Sequence, residues 1–251
     1  MGNMGSKGII RYLETFTADN IATGTATAAG AAGDGIAWIC TMDSGDTGFV
    51  RAVNASRGLH VTAATDTTDN DMLEFASDNL RFYGQTGMNA VEILAQFDVV
   101  TGIAFNFGFN DACADTTGLP IELSGTTWTT NASSALMLVY DIDATNDELH
   151  CMWVDDDTDA TNAIATLRMN GVAPTASQWL WMRVEMQDRG SGYGVAATFT
   201  AVDHNGRSCT KEFNTTLDRD VALCYYFGIE NRAASAVNCY IKAVAWEQTI
   251  A

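Results

Sequence analysis

Trp179-Leu180-Trp181-Met182-Arg183-Val184-Glu185-Met186 alternates without a break, with Leu180, Met182, Val184 and Met186 on one side and Trp179, Trp181, Arg183 and Glu185 on the other. A period of two marks a strand with one face on a core. The next apolar run repeats it: Val195, Ala197, Phe199 and Ala201 share a face. Between that run and the following one lies Asp203-His204-Asn205-Gly206, which reads as a hairpin with Gly206 free to take positive φ.

The same grammar extends through the chain. Runs rich in Val, Ile, Phe, Tyr, Trp and Thr fall at 10–16, 36–42, 49–54, 58–63, 72–75, 80–83, 89–99, 102–109, 135–142, 148–154, 163–169, 207–213, 223–229 and 237–246, split by Asp, Asn, Gly and Ser clusters. No long window has a 3.6-residue period, so helix is expected to be sparse. About fifteen short strands with short connections predict an all-β, two-sheet antiparallel sandwich. Residues 1–9 are expected to form a flexible arm, 10–251 a single domain, and 19–35 (nearly all Ala, Thr and Gly) a low-complexity loop.

The 251 residues are 47% hydrophobic and 18% charged, with only 2 Pro, enough for a large core. Acid dominates: 31 Asp+Glu against 13 Lys+Arg leaves −18, which argues against nucleic acid as a partner. Of the acids 22 are Asp, while lysine occurs only at Lys7, Lys211 and Lys242. Two readings stay open: adaptation to a marine or halophilic milieu, or many Asp-built turns. Six cysteines (40, 113, 151, 209, 224 and 239) show no C-x-x-C pair, and residues 1–11 lack a secretory pattern. Reduced, buried thiols and assembly in a cytoplasm are expected. No apolar stretch approaches the roughly 18 residues of a membrane-spanning helix, so no membrane partner is expected.

From residue 102 onward the sequence becomes more specific. GIAFNFGFNDA (102–112), LPIEL (119–123), SALMLVYDIDATNDELHCMWV (134–154), QWLWMRVEM (178–186) and ENRAASAVNCYIKAVAW (230–246) together resemble virion proteins of tailed bacteriophages with a concanavalin-A-like, laminin-G-like jelly-roll. That resemblance implies the jelly-roll form of the sandwich, with the last strand pairing an opening segment such as LETF (13–16). It further implies a capsid decoration (cement) protein on the outer surface of a virion, bound to the major capsid protein and arranged as a homotrimer. A carbohydrate-binding adhesin module of a head or tail fibre is the alternative. The motifs mark no active site.

No catalytic residue is expected. Retaining glucanases on this fold carry two carboxylates at close spacing along one strand, whereas here Glu92 is followed only by Asp98 and Glu185 only by Asp188. His60, His150 and His204 are far apart and accompany no nucleophile motif. The one cofactor worth weighing is calcium. Asp141, Asp143 and Asp147 bracket one strand end, Asp155 and Asp157 the next, and clustered oxygens suit Ca²⁺. The EF-hand pattern is absent, since Asn146 stands at position six and Met152 at position twelve. In the last run Val237, Cys239, Ile241, Ala243 and Ala245 are expected to face the core. Tyr240, Val244 and Trp246 then face away, making Tyr240 and Trp246 candidates for an interface or for cover by loops of the same chain.

Overall fold

The computed structural model describes residues 3–5, 8–17, 28–29, 38–43, 45–77, 81–114, 118–159 and 162–249. In chain order the first strands are β1 (Asn3–Gly5), β2 (Ile9–Glu14), β3 (Ala28–Ala29), β4 (Trp38–Met42), β5 (Thr47–Asn54), β6 (Gly58–Ala64) and β7 (Met72–Ser77). There follow β8 (Met88–Phe97), β9 (Ile103–Asn110), β10 (Ile121–Ser124), β11 (Thr127–Thr130), β12 (Ala135–Asp141), β13 (His150–Asp155) and β14 (Thr158–Asp159). After one helical turn, α1 (Ile164–Leu167), come β15 (Trp179–Asp188), β16 (Val195–Val202), β17 (Ser208–Asn214), β18 (Cys224–Asn231) and β19 (Asn238–Thr249). A nine-stranded sheet runs β1-β2-β19-β8-β15-β16-β17, with the β5–β6 pair joined to β19 through β6. An eight-stranded sheet runs β14-β13-β12-β9-β18-β7-β4-β3. The two pack face to face as an antiparallel jelly-roll sandwich, as the alternation predicts.

The alternating strands build the first sheet. Leu180, Met182, Val184 and Met186 are buried, as are Val195, Ala197, Phe199 and Ala201 on the neighbouring strand. Aromatic rings join the sheets across the core: Phe97 of β8 stacks on Phe105 of β9 with centroids 4.7 Å apart. The expected closure also forms, with Val244, Ala245 and Trp246 of β19 opposite Glu14, Leu13 and Tyr12 of β2.

One face assignment is corrected. β19 pairs β6 over Asn238–Ile241 and β2 from Val244 onward, and a bulge between Ile241 and Ala243 marks the change of partner. The extra residue switches which side chains point inward. Cys239 and Ile241 are buried before the bulge; Val244 and Trp246 are buried after it. Trp246 stacks on Tyr12 at 5.9 Å and meets Phe82 edge-on at 5.8 Å, so it is a core residue. Tyr240 keeps its outward position.

The second sheet is buried on both faces: every residue of β9, β12 and β18 is buried. Its inner face is aromatic, from Phe105, Phe107, Phe109, Tyr225 and Phe227. Its outer face is roofed by the segment carrying the β10–β11 hairpin, a pair of strands the sequence runs omit. Asn106 of β9 ties this roof down, donating to the Ile121 carbonyl at 2.9 Å and accepting from the Ile121 amide at 2.8 Å. Gly228 makes room for it, because a Cβ there would lie 2.8 Å from Leu119 Cδ2.

Two further expectations change. The 163–169 run becomes the α1 turn, consistent with its Ala- and Leu-rich composition. Of 80–83, Phe82 makes an isolated bridge to Leu223, while residue 80 lies outside the described residues. Within the expected arm, Asn3–Gly5 pair with Ile9–Arg11. Most of the 19–35 loop lies outside the described residues; Ala28 and Ala29 pair with Cys40 and Ile39. None of the six cysteines forms a disulfide.

Candidate functional site

Alternation on β15 puts Trp179, Trp181, Arg183 and Glu185 on the outward face of the first sheet, and cross-strand register supplies their neighbours. Glu92, Leu94 and Gln96 of β8 stand opposite Arg183, Trp181 and Trp179. On the other side of β8, Tyr240 stands opposite Gln96 and Ala245 opposite Glu92. Arg183 is the centre of the charge. It pairs with Glu92, with Glu185 at 2.6 Å and with Glu247 at 3.3 Å. Burial works against its charge, but the Glu185 and Glu92 carboxylates more than offset that and hold the guanidinium above its ordinary pKa. Trp181 Nε1 donates to Glu92 Oε2 at 3.3 Å, which fixes the indole beside the charged cluster.

A second aromatic point lies in the next row. The Arg57 guanidinium carbon is 3.9 Å from the Tyr240 ring centroid, and His60 meets the same ring edge-on at 5.5 Å. Arg57 also donates to Gln96, whose amide donates to the Ser177 carbonyl at 2.6 Å. The face thus combines half-buried aromatic rings with planar hydrogen-bonding groups held by one another. Spacing along one strand does not reveal this group, because Glu92, Glu185 and Glu247 come from three strands and only the register brings them together.

The calcium candidates read from the sequence are placed apart. Asp141 is fully buried and bound by Arg232, with Nη2 2.9 Å from Oδ2, and it accepts the Leu123 and Asp143 amides at 3.0 and 3.1 Å. Asp143 and Asp147 are exposed. Asp155 accepts the Asp218 amide at 2.8 Å and Asp157 the Ser133 hydroxyl at 2.6 Å. Asp156 and Asp157 have φ of 48° and 59°, so this acidic stretch builds the β13–β14 turn.

Arg232 also pairs with Glu230 and, at 3.9 Å, with Glu122. These groups, with Asp43 and Asn70, line a cavity of about 320 Å³ at the rim of the second sheet. Burial pushes Glu230 up to about 7 against the pull of Arg232.

Beside that cavity three aspartates converge, with no cationic side chain between them among the described residues. Asp46 follows β4, while Asp66 and Asp71 bracket the β6–β7 connection, and one carboxylate oxygen from each lies within 4.8 Å of the others. Burial first, then contact with Asp66 and the charges of Asp46, Asp66 and Asp43, push Asp71 up to about 7. Asp66 and Asp71 belong to an acidic stretch of the sequence (66–71), but Asp46 lies twenty residues earlier, and only the fold brings it to them.

His150 is fully buried in β13, and burial holds it down to about 4. His204 lies exposed in the β16–β17 turn. No catalytic residue is assigned.

Two antiparallel sheets in this order define a concanavalin-A-like, lectin-like jelly-roll. Among solved structures, a protein of unknown function from Shewanella oneidensis MR-1 superposes with TM-score 0.56 at 10% identity, over 100% of this chain and 90% of that one. Peanut lectin matches with TM-score 0.54 at 9% identity, over 97% and 98% of the two chains. A marine alginate lyase from Aplysia kurodai matches with TM-score 0.52 at 12% identity, over 79% and 86%. No family model and no curated protein matches the sequence. At these identities the likeness is one of fold, and fold alone assigns no activity.

Proposed function

We propose that the protein is a non-catalytic binding module whose outward first-sheet face recognises a neutral glycan. The observation that carries this reading is the Trp181–Glu92–Arg183 arrangement: an indole locked by its own N–H beside a guanidinium and three carboxylates. Aromatic rings cover the apolar faces of sugars, while planar charged groups accept and donate to hydroxyl pairs. The net charge of −18 favours neutral over anionic glycans. Binding to an array of neutral and anionic glycans tests it. Trp181→Ala should lower affinity for the neutral hits by at least about tenfold while the circular dichroism spectrum is unchanged, and β-glucans should release no reducing sugar. Equal binding by the variant removes the face from the site. Sugar release abolished by Glu92→Gln or Glu185→Gln makes the protein an enzyme.

The second reading is decoration of a phage capsid, with the major capsid protein as partner and a homotrimer as the assembly. What favours it, beside the sequence resemblance, is apolar surface on strands near the margin of the first sheet. Leu13 of β2 is 58% exposed and Val53 of β5 is 79% exposed. Contacts of that kind suit closed symmetric assembly. Imaging of the particle separates the readings, since hundreds of copies mean decoration and a handful mean a fibre module.

A further inference from the structure

We propose that Asp46, Asp66 and Asp71 form a calcium site at the rim of the second sheet. This goes beyond the glycan reading and does not depend on it. The carboxylate group alone would not carry the proposal; the state of Asp71 does. Asp71 is only 7% exposed, its Oδ2 is buried with no donor among the described residues, and the contact its carboxyl makes within the cluster is with another acid, Asp66. Asp46 Oδ2 is in the same condition. A buried carboxylate oxygen without a donor is stabilised by little except a positive charge. None is supplied by the protein: among the described residues no lysine or arginine pairs with these three acids, and Arg232 is engaged by Asp141 and Glu230.

The loops are held so that the acids face one another. The Asp66 amide donates to Asp46 Oδ1 at 2.7 Å, joining the two loops. Asn231, fully buried at the end of β18, donates through Nδ2 to the Asp66 and Thr68 carbonyls at 2.9 and 3.2 Å. Its backbone amide donates to the Asp71 carbonyl at 3.0 Å. Gly45 permits the close approach: its φ is +113°, and a Cβ there would lie 2.4 Å from Asp66 Oδ2.

The choice of ion follows from donors and distances. All three ligands are oxygens, which suits a hard cation. Calcium binds oxygen at about 2.3–2.6 Å in flexible geometry, so ligand atoms up to about 5 Å apart can share one ion. The three oxygens all lie within 4.8 Å of one another, inside that span. Magnesium demands a near-ideal octahedron at about 2.0–2.1 Å, which three carboxylates fixed on separate loops meet less readily than calcium's flexible shell. Water would complete the coordination. The competing state is a proton held between Asp66 and Asp71.

The test uses the full-length protein, stripped with chelator and titrated with CaCl₂ or MgCl₂ at pH 8 by calorimetry, with thermal unfolding in parallel. One calcium per chain with Kd below about 1 mM is expected, with a melting temperature raised by several degrees and a weaker response to magnesium. Asp71→Asn and Asp46→Asn should each weaken calcium binding at least about tenfold. Asp143→Asn, outside the cluster, should bind as the wild type does. Asp46 is only half-buried, so its variant serves if Asp71→Asn fails to fold. Absence of heat and of any melting shift at about 10 mM calcium overturns the proposal, as does undiminished binding by Asp46→Asn.

Discussion

Two arginines in this molecule each gather three carboxylates, and their surroundings make them different objects. Arg232 and its two close partners Asp141 and Glu230 lie beneath the roof of the second sheet, with side-chain exposures of 9%, 0% and 3%, while its more distant partner Glu122 reaches the rim at 28%. Arg183 and its partners Glu92, Glu185 and Glu247 lie on the outward face of the first sheet at 16%, 27%, 32% and 19%. The first cluster holds the hairpin roof in place, since the Leu123 amide hangs on Asp141 and the Leu119 amide on Glu230. The second is partly open to solvent, as the proposed glycan site requires. What burial decides is whether an ion network is structure or site.

The largest effect should come from cutting the buried network. Arg232→Met leaves Asp141 as an uncompensated charge in the interior, a change that costs about 3–5 kcal/mol. Urea unfolding is expected to show that loss. Adding Asp141→Asn should recover part of it by removing the orphaned charge, because pairwise coupling is what the double substitution isolates. A loss under about 1 kcal/mol would show that the Arg232 cluster is as solvent-screened as a surface pair, and the comparison would break.

Acidity sharpens the comparison from a second direction. Neutral His150 is held down to about 4 by burial, with Arg168 adding and Glu148 opposing. The folded chain therefore binds fewer protons than the unfolded chain below the ordinary value of 6.5. Stability from this group is fully present above pH 6.5 and is lost as pH falls toward 4. Glu230 runs the other way. Its value rises from 4.5 to about 7, so its contribution is full below pH 4.5 and is lost as pH rises through 7. Each amounts to about 3 kcal/mol in full, at about 1.4 kcal/mol per unit. Between pH 4.5 and 6.5 the two oppose each other. Relative to wild type, His150→Leu should lose stability as pH rises through that window and Glu230→Gln should gain it. The check is urea unfolding at three pH values, and parallel slopes for the two variants would contradict the assigned burial of one of them.

The sandwich was legible because alternation is a local property. Leu180 to Met186 and Val195 to Ala201 show their buried faces in the sequence itself, and Asp203 Oδ1 closes the expected turn by accepting the Asn205 and Arg207 amides at 2.9 Å. What stayed hidden depends on register between distant segments. The bulge after Ile241 leaves no mark in a run of small and apolar residues, so alternation alone points Trp246 to the wrong face. The β10–β11 hairpin had a signal in its Gly125-Thr126 turn, where Gly125 takes φ of +62°, but its strands carry few large apolar residues. Asp46, Asp66 and Asp71 converge through contacts between distant segments, the Asp66 amide on Asp46 and Asn231, some 160 residues later, on the 66–71 loop. The Asp-rich stretch at 141–159 is dispersed by the fold: Asp141 goes to Arg232, Asp143 and Asp147 to solvent, and Asp156 and Asp157 to a turn.

The smallest stability effect, and the most informative about function, belongs to Arg183. Its partners are partly solvated, so Arg183→Met should change the unfolding free energy by no more than about 1 kcal/mol. The methionine keeps most of the aliphatic stem that covers the sheet. Recognition should respond quite differently. The guanidinium fork sets both the Glu92 carboxylate and, through it, the Trp181 indole, so its loss should lower glycan affinity at least about tenfold. Arg183→Lys should recover little, because an ammonium cannot span Glu92 and Glu185 in one plane. Unfolding and array binding on the same samples give both quantities. If Arg183→Met costs as much stability as Arg232→Met, the first-sheet cluster is structural as well. If stability and glycan binding both stay at wild-type levels, ligand recognition lies elsewhere, and the rim cavity lined by Asp43, Asn70 and Glu122 becomes the place to look.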